Sequence, residues 1–170
     1  MSLTERCSLT EVRRALLARL LECARGYYGA SLVSLVIFGS VGRGTAGPES
    51  DLDVLVVASG LPDGRVPRVR DFANVEQALA PDLALARRQG WALELSPVFK
   101  TPEEVGAGSP LFLDMVEDAM FLVDRDDFLR NALEALRLRL AALGARRIWR
   151  GNAWFWDLKP DYRPGEVFEI

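Results

Sequence analysis

Residues 32–58 read LVSLVIFGSVGRGTAGPESDLDVLVVA, which is two apolar runs on either side of a glycine-rich connection. The first run, Leu32–Phe38, is rich in β-branched side chains and predicts a buried strand. The second strand is predicted over Asp51–Ala58. The stretch therefore predicts a strand, a short loop and a second strand at the centre of the fold.

Two aspartates open the second strand. Side chains alternate between the two faces of a strand, so Asp51 and Asp53 are expected on one face, together with Leu55 and Val57. Two carboxylates on one face suit Mg²⁺, which completes its shell with water and substrate phosphates. A plain turn, in which Asp and Gly also cluster, is the alternative. It does not explain aspartates inside a strand, where they are rare and where like charges repel without a cation.

The connection carries the groups that bind an anion. The backbone of Gly39 allows a close approach of phosphate, and the N–H groups of Gly39 and Ser40 can donate hydrogen bonds to it. The hydroxyl of Ser40 is expected to bind terminal phosphates, and it could also cap a helix. Arg43 is close enough in sequence to reach phosphate, or it is a solvated surface arginine.

Gly39, Ser40, Asp51 and Asp53 resemble the signature of the polymerase-beta-type nucleotidyltransferase superfamily. The pattern of its minimal nucleotidyltransferase family is Gly-Ser, ten residues, Asp-x-Asp, which fits residues 39–53. The resemblance implies transfer of a nucleoside monophosphate, typically AMP from ATP, to an acceptor hydroxyl. Many small members are antitoxins that modify a tyrosine of a partner toxin of the HEPN type.

The resemblance also implies a third acidic residue on a later strand. Glu94 is the best candidate, in a strand predicted over Trp91–Phe99 where Glu94 and Ser96 share one face. If that strand neighbours the second one, Glu94 joins the aspartates and helps to deprotonate the acceptor. A glutamate exposed to solvent is the alternative.

The site implied by the resemblance holds ATP and two magnesium ions. One ion would bridge Asp51, Asp53 and the nucleotide phosphates. The second would lie near both aspartates and Glu94 and activate the incoming hydroxyl. Gly39 and Ser40 would hold the leaving pyrophosphate.

The composition sets wider limits. A chain of 170 residues predicts one domain, and its 49% apolar and 26% charged residues are typical of globular proteins. No apolar run is long enough to span a bilayer and the N-terminus lacks the build of a signal peptide, so we expect a cytoplasmic protein and no membrane partner. The net charge of −3 argues against general nucleic-acid binding.

The chain has no histidine. Ser-His-Asp catalysis is therefore excluded, and the commonest zinc ligand is missing. The toxin role in a HEPN-type pair is excluded as well, because the motif of that toxin family contains a histidine.

Periodicity and capping residues predict the other elements. Helices are expected over residues 9–26 and 68–88, as two short pieces within 102–119, and from a cap at Asp126 or Asp127 to about residue 143, with a further strand over Met120–Val123. Pro81 is expected to kink or divide the second helix. The fold class is α/β (α+β): the polymerase-beta-type nucleotidyltransferase fold, a mixed sheet of about five strands with helices mainly on one face.

Residues 145–170 are predicted to be an aromatic arm of the same domain, following a nucleotidyltransferase core over 1–144. Ala145–Arg150 could form a fifth strand, and Asn152–Trp156 could pair with it or extend as an arm. Three interpretations of the arm are possible. It could cover the core, it could dock a partner through Trp154, Trp156 and Tyr162, or it could bind single-stranded RNA by stacking. The acidic net charge makes the third the weakest.

The sequence thus predicts a metal-dependent nucleotidyltransferase that acts by AMPylation of a HEPN-type toxin, as an antitoxin. A nucleotidyltransferase for a small molecule, such as an aminoglycoside, or for an RNA end is the first alternative. A catalytically idle antitoxin that neutralises its partner by binding alone is the second. No accessory substrate domain is visible in the sequence, which favours a protein acceptor.

Overall fold

The computed structural model describes residues 9–91, 93–151, 153–168 and 170. In these residues, the helices are α1 (Leu9–Tyr28), α2 (Gly39–Gly42), α3 (Arg65–Arg88), α4 (Pro102–Gly106), α5 (Phe112–Met115) and α6 (Phe128–Ala142). The strands are β1 (Leu32–Ile37), β2 (Leu52–Ala58), β3 (Leu95–Lys100), β4 (Met120–Asp124), β5 (Arg146–Arg150) and β6 (Ala153–Asp157).

The central sheet is mixed and has four strands in the order β3-β2-β1-β4. Strand β1 is antiparallel to both β2 and β4, whereas β2 and β3 are parallel. The predicted α/β class with a mixed sheet is confirmed. The predicted fifth strand forms, but it pairs with β6 in a separate two-stranded sheet. Asn152, where the sequence placed the start of the partner strand, lies outside the described residues.

The alternation along β2 divides the core in two. Leu52, Val54 and Val56 face a cluster built with α1 and α3. Leu55 and Val57 face the other way, into a cluster with residues of α4, α5 and α6. The two longest helices thus cover one face, as expected, and α6 with two short helices also covers part of the face to which Asp53 belongs.

Several element boundaries differ from the sequence prediction; strand β2, for example, begins at Leu52, so Asp51 lies just before it. Pro81 does not divide helix α3, which is continuous over Arg65–Arg88, and Leu79 and Ala86 on either side of the proline are buried in the first cluster. Strand β3 begins at Leu95 rather than at Trp91. Trp91 is instead buried at the end of α3, where its N–H donates to the carbonyl of Ala86 at 2.9 Å.

The predicted cap of α6 is wrong. Asp126 and Asp127 adopt left-handed backbone angles, with φ of 55° and 52°, and Asp127 makes no side-chain capping bond. The carboxylate of Asp124 accepts hydrogen bonds from the N–H groups of Leu129 and Arg130, each at 3.0 Å. The chain turns back on itself before α6, so an aspartate at the end of β4 reaches the open N–H groups of the helix.

The β5–β6 hairpin packs beside α5. The indole Nε1–H of Trp156 donates to the carbonyl of Leu113 at 3.2 Å, and Trp156 packs against the second cluster. In the described part of the chain, no helix has the length and apolar character needed to cross a membrane.

Candidate active site

The pairing of β1 with β2 brings the two halves of the motif together. Ile37 lies opposite Val54, and the N–H of Phe38 donates to the carbonyl of Asp53 at 3.1 Å. The next residue, Gly39, has a φ of 65°, in the left-handed region that favours glycine. The carboxylate of Asp53 occupies the space that a side chain at Gly39 would need.

The glycine-rich connection begins with the single turn of α2. The N–H of Arg43 donates to the carbonyl of Gly39 at 3.1 Å, and the N–H of Thr45 donates to the carbonyl of Ser40 at 2.9 Å. The first N–H groups of a helical turn have no partner within the turn, and Gly39 and Ser40 are the first two residues of α2. Close packing holds the turn in place, because a Cβ at Gly42 would lie 2.6 Å from the carbonyl oxygen of Asp118.

Five of the six residues predicted for the site line one open cleft of about 590 Å³. They are Gly39, Ser40, Arg43, Asp51 and Asp53. The cleft lies where β1 ends and β2 begins. The structure therefore brings together the predicted phosphate-binding and acidic residues, including Arg43.

The two aspartates differ in environment: Asp51 is exposed, whereas Asp53 is half-buried. Burial raises the pKa of Asp53, a hydrogen bond from Ser96 lowers it, and the negative charge of Asp51 raises it further. Smaller contributions come from Arg43, which lowers the pKa, and Asp114, which raises it. The net shift is upward, so the ionised carboxylate is under-compensated, as expected for a group that would gain from a nearby cation.

Glu94 does not join the cleft. It is exposed, it precedes the first residue of β3, and it is not among the residues that line the cleft. Its carbonyl accepts a hydrogen bond from the N–H of Leu52 at 2.8 Å. Ser96 is the residue paired with Asp53 in the β2–β3 register. A catalytic role for Glu94 stays a prediction.

Asp114, on α5, also lines the cleft, although it lies outside the sequence motif of residues 39–53. It is half-buried, and burial raises its pKa against the opposing effects of Arg43 and Arg147. A signal was present, because Asp114 is the single charged residue in the apolar run Leu111–Val116. Charged groups in such runs are costly to bury without a partner or a function.

The hairpin completes the wall of the cleft through Trp154. The guanidinium of Arg147 lies over Trp154, 4.3 Å from the ring centroid, and 5.0 Å from the ring centroid of Trp149. Arg147 in turn donates to the carboxylates of Glu117 at 2.8 Å and Asp118 at 2.6 Å. An aromatic side chain is thus fixed beside the acidic pair.

The carboxylates of Asp51 and Asp53 fit Mg²⁺. In the described ranges, no group of three or more His, Cys, Asp or Glu residues is arranged to enclose a metal ion. Mg²⁺ does not require a full set of protein ligands, because it usually binds one or two carboxylates and completes its coordination shell with water and substrate phosphates. The pKa of Asp53 is raised chiefly by burial, which agrees with a carboxylate that a bound cation would stabilise.

Comparisons with known proteins agree with this geometry. Residues 17–97 match the model of the nucleotidyltransferase domain family. The chain is 30% identical over 124 residues to a protein of Methanocaldococcus jannaschii named "putative protein adenylyltransferase"; the match covers 72% of this chain and 79% of that protein. The chain therefore belongs to the nucleotidyltransferase family, and the prediction that it is an enzyme of nucleotidyl transfer is confirmed.

Solved structures show more distant likeness. A toxin–antitoxin crystal structure with AMP-PNP is 20% identical, with a TM-score of 0.45 over 75% of this chain and 92% of that one. A mutant of the toxin–antitoxin MntA–HpeT is 16% identical, with the same TM-score and the same coverage of each chain. At these values the likeness carries no statement about function.

Proposed function

We propose that the chain transfers AMP from ATP to a hydroxyl group of a protein, with Mg²⁺ held by Asp51 and Asp53. The observation that carries this proposal is the single cleft that joins the two carboxylates to Gly39, Ser40 and Arg43. The name of the M. jannaschii relative, a protein adenylyltransferase, supports both the nucleotide and the class of acceptor.

The phosphate-binding, cationic and acidic residues of the cleft have different parts in the proposed reaction. Mg²⁺, when bound, neutralises phosphate charge and favours ionisation of the attacking hydroxyl. The N–H groups of Gly39 and Ser40 hold the terminal phosphates, and Arg43 offsets their charge. The acceptor oxygen forms a bond to the α-phosphorus, the bond to the bridging oxygen breaks, and pyrophosphate leaves. The proton of the hydroxyl passes to a carboxylate of the cleft.

The acceptor that we propose is a tyrosine of a HEPN-type toxin, which makes this chain the antitoxin of a pair. This assignment rests on the family resemblance of residues 39–53, and the relative's name supports only the part that the acceptor is a protein. The net charge of −3 makes an RNA acceptor less favourable. A cytoplasmic location follows from the same proposal.

The test uses ATP labelled at the α-phosphate. The full chain with Mg²⁺ is offered three acceptors in parallel: the product of a neighbouring gene for a small helical protein, an RNA with a free 3′ end, and an aminoglycoside. We expect label on a tyrosine of the protein, mapped by mass spectrometry, and no label with Asp53→Asn. Label on the RNA or the aminoglycoside alone would exclude the protein acceptor and keep nucleotidyl transfer. Neutralisation of the toxin without any label would assign the chain as an idle antitoxin.

A further inference from the structure

We propose that Trp154 is the base-binding residue of the site and stacks on the nucleobase of the nucleotide. This inference rests on the proposed function and adds to it a subsite for the base. The residue lies on β6, far in sequence from the motif of residues 39–53. No part of the motif indicates it.

The position of Trp154 carries the proposal. It lines the same cleft as Gly39, Ser40, Asp51 and Asp53. The cleft of about 590 Å³ is of the size that holds one small-molecule ligand. A nucleotide with its phosphates at Gly39 and Ser40 can therefore extend its base along the same cleft toward the indole.

Trp154 is also the aromatic side chain of the cleft wall that has free surface. Phe38, the other aromatic residue in that wall, is only 6% exposed and packs into the second cluster. Trp154 is half-buried. The polar and charged side chains that share the wall suit phosphates and metal, whereas the indole suits a flat aromatic ring.

The indole is held in place before any ligand binds. The guanidinium of Arg147 lies 4.3 Å from the ring centroid of Trp154, and the Arg147 side chain is only 10% exposed. Glu117 and Asp118 fix Arg147 through ion pairs of 2.8 and 2.6 Å. With one face of the ring against Arg147, a base can stack on the opposite face at little cost in side-chain entropy.

The hairpin supplies a matched control. Trp149 is the cross-strand partner of Trp154, and the same Arg147 lies 5.0 Å from its ring centroid. Trp149 is 53% exposed and is not among the residues that line the cleft. Both tryptophans thus lie on the same hairpin and contact the same arginine, but only Trp154 lines the cleft.

The experiment compares ATP with inorganic tripolyphosphate, which has no base. Binding of each to the full chain with Mg²⁺ is measured by calorimetry for the wild type, Trp154→Ala, Trp154→Phe and Trp149→Ala. Trp154→Ala is expected to weaken ATP binding roughly 5- to 150-fold, the range of base–aromatic stacking, and to leave tripolyphosphate binding unchanged. Trp154→Phe should retain most of the ATP affinity, and Trp149→Ala should match the wild type for both ligands.

Three results would overturn the inference. An equal loss for ATP and tripolyphosphate in Trp154→Ala would assign a structural role to the indole. If Trp154→Ala left ATP binding unchanged but raised the KM for the protein acceptor, the indole would contact the ring of the acceptor tyrosine instead of the base. Quenching of tryptophan fluorescence by ATP that is as strong in Trp154→Phe as in the wild type would show that no base lies on the indole, and this outcome does not depend on the folding of the alanine variant. Failure of the wild type to bind either ligand would instead refute the proposed function itself.

Discussion

The carboxylate of Asp53 lies directly against the Cα of Gly39: a Cβ added to Gly39 would be 2.0 Å from Oδ2 of Asp53 and 2.9 Å from its Cγ. Both distances are far inside van der Waals contact. Gly39 also has a φ of 65°. The motif therefore begins with glycine for two independent reasons, a backbone angle and the space that an acidic side chain occupies.

We expect Gly39→Ala to abolish nucleotidyl transfer, because the new methyl group must displace the Asp53 carboxylate. Gly44→Ala is the matched control, since Gly44 has a φ of 75° but has no atom within 4 Å of the added Cβ. It should cost about 1–2 kcal/mol of stability through backbone strain alone and retain transfer. Chemical denaturation and the transfer assay measure the two effects. If both variants lost transfer equally, backbone strain and not the contact with Asp53 would explain the glycine.

Asp51→Asn and Asp53→Asn are expected to fold and to lose the stabilisation that Mg²⁺-ATP gives to the wild type. The pKa of Asp53 is raised in the folded state, so its ionisation opposes folding at pH values above the ordinary aspartate range. Removing that charge should leave the melting temperature without ligand unchanged or higher. Scanning calorimetry with and without Mg²⁺-ATP checks both points. Equal ligand-induced shifts in the wild type and both variants would contradict the assignment of the metal site.

For the third acidic position, the placement of the two side chains favours Asp114 over Glu94. Asp114 lines the cleft, whereas Glu94 is exposed outside it. We expect Asp114→Asn to lower kcat by about 10²- to 10⁴-fold, the range of general acid–base catalysis, and Glu94→Gln to change it less than about threefold. Steady-state kinetics with ATP and the acceptor measure this, and unchanged KM for ATP would place the effect on the acceptor side. The reverse order of the two losses would restore the prediction made from the sequence for Glu94.

The parts of the site that could be predicted from sequence are those set by local geometry. The two-residue alternation along the second apolar run predicts Asp53 on the face of Leu55, and the strand–loop–strand pattern predicts Gly39 beside it; Gly39, Asp51 and Asp53 line one cleft. These relations involve neighbours in sequence. They hold whatever the rest of the chain does.

The parts that could not be predicted depend on contacts between distant segments. Asp114 and Trp154 reach the cleft only because α5 and the β5–β6 hairpin pack beside it, and no periodicity encodes that. The cap of α6 could not be predicted for a similar reason. Asp124, and not Asp127, accepts the hydrogen bond from the N–H of Leu129. This arrangement requires a turn in which two residues other than glycine, Asp126 and Asp127, adopt left-handed backbone angles, which is uncommon. The start of β3 shifted because Trp91 is buried against the end of α3.

An ion pair remote from the cleft gives a prediction for stability against pH. Arg68 is 8% exposed and donates two hydrogen bonds to Glu104, at 2.7 and 3.0 Å. These bonds, followed by one from the N–H of Thr101, lower the pKa of Glu104 from 4.5 to about 2. A carboxylate with a lowered folded-state pKa stabilises the fold at pH values above 4.5, and this contribution is lost as the pH falls from 4.5 towards about 2.

Glu104→Gln isolates that charge, because glutamine can still complete the capping box with Thr101. The full linkage value is about 3 kcal/mol, but the Glu104 side chain is 40% exposed, so solvent screening reduces the expected loss to about 1–2 kcal/mol at pH 7. The control is Glu134→Gln, which removes the exposed pair with Arg137 and should have a smaller effect. Urea denaturation at pH 7, 5 and 3 should show the difference between wild type and Glu104→Gln shrinking at the lowest pH. A difference that stays constant with pH would mean that Glu104 stabilises the fold through packing and capping rather than through its charge.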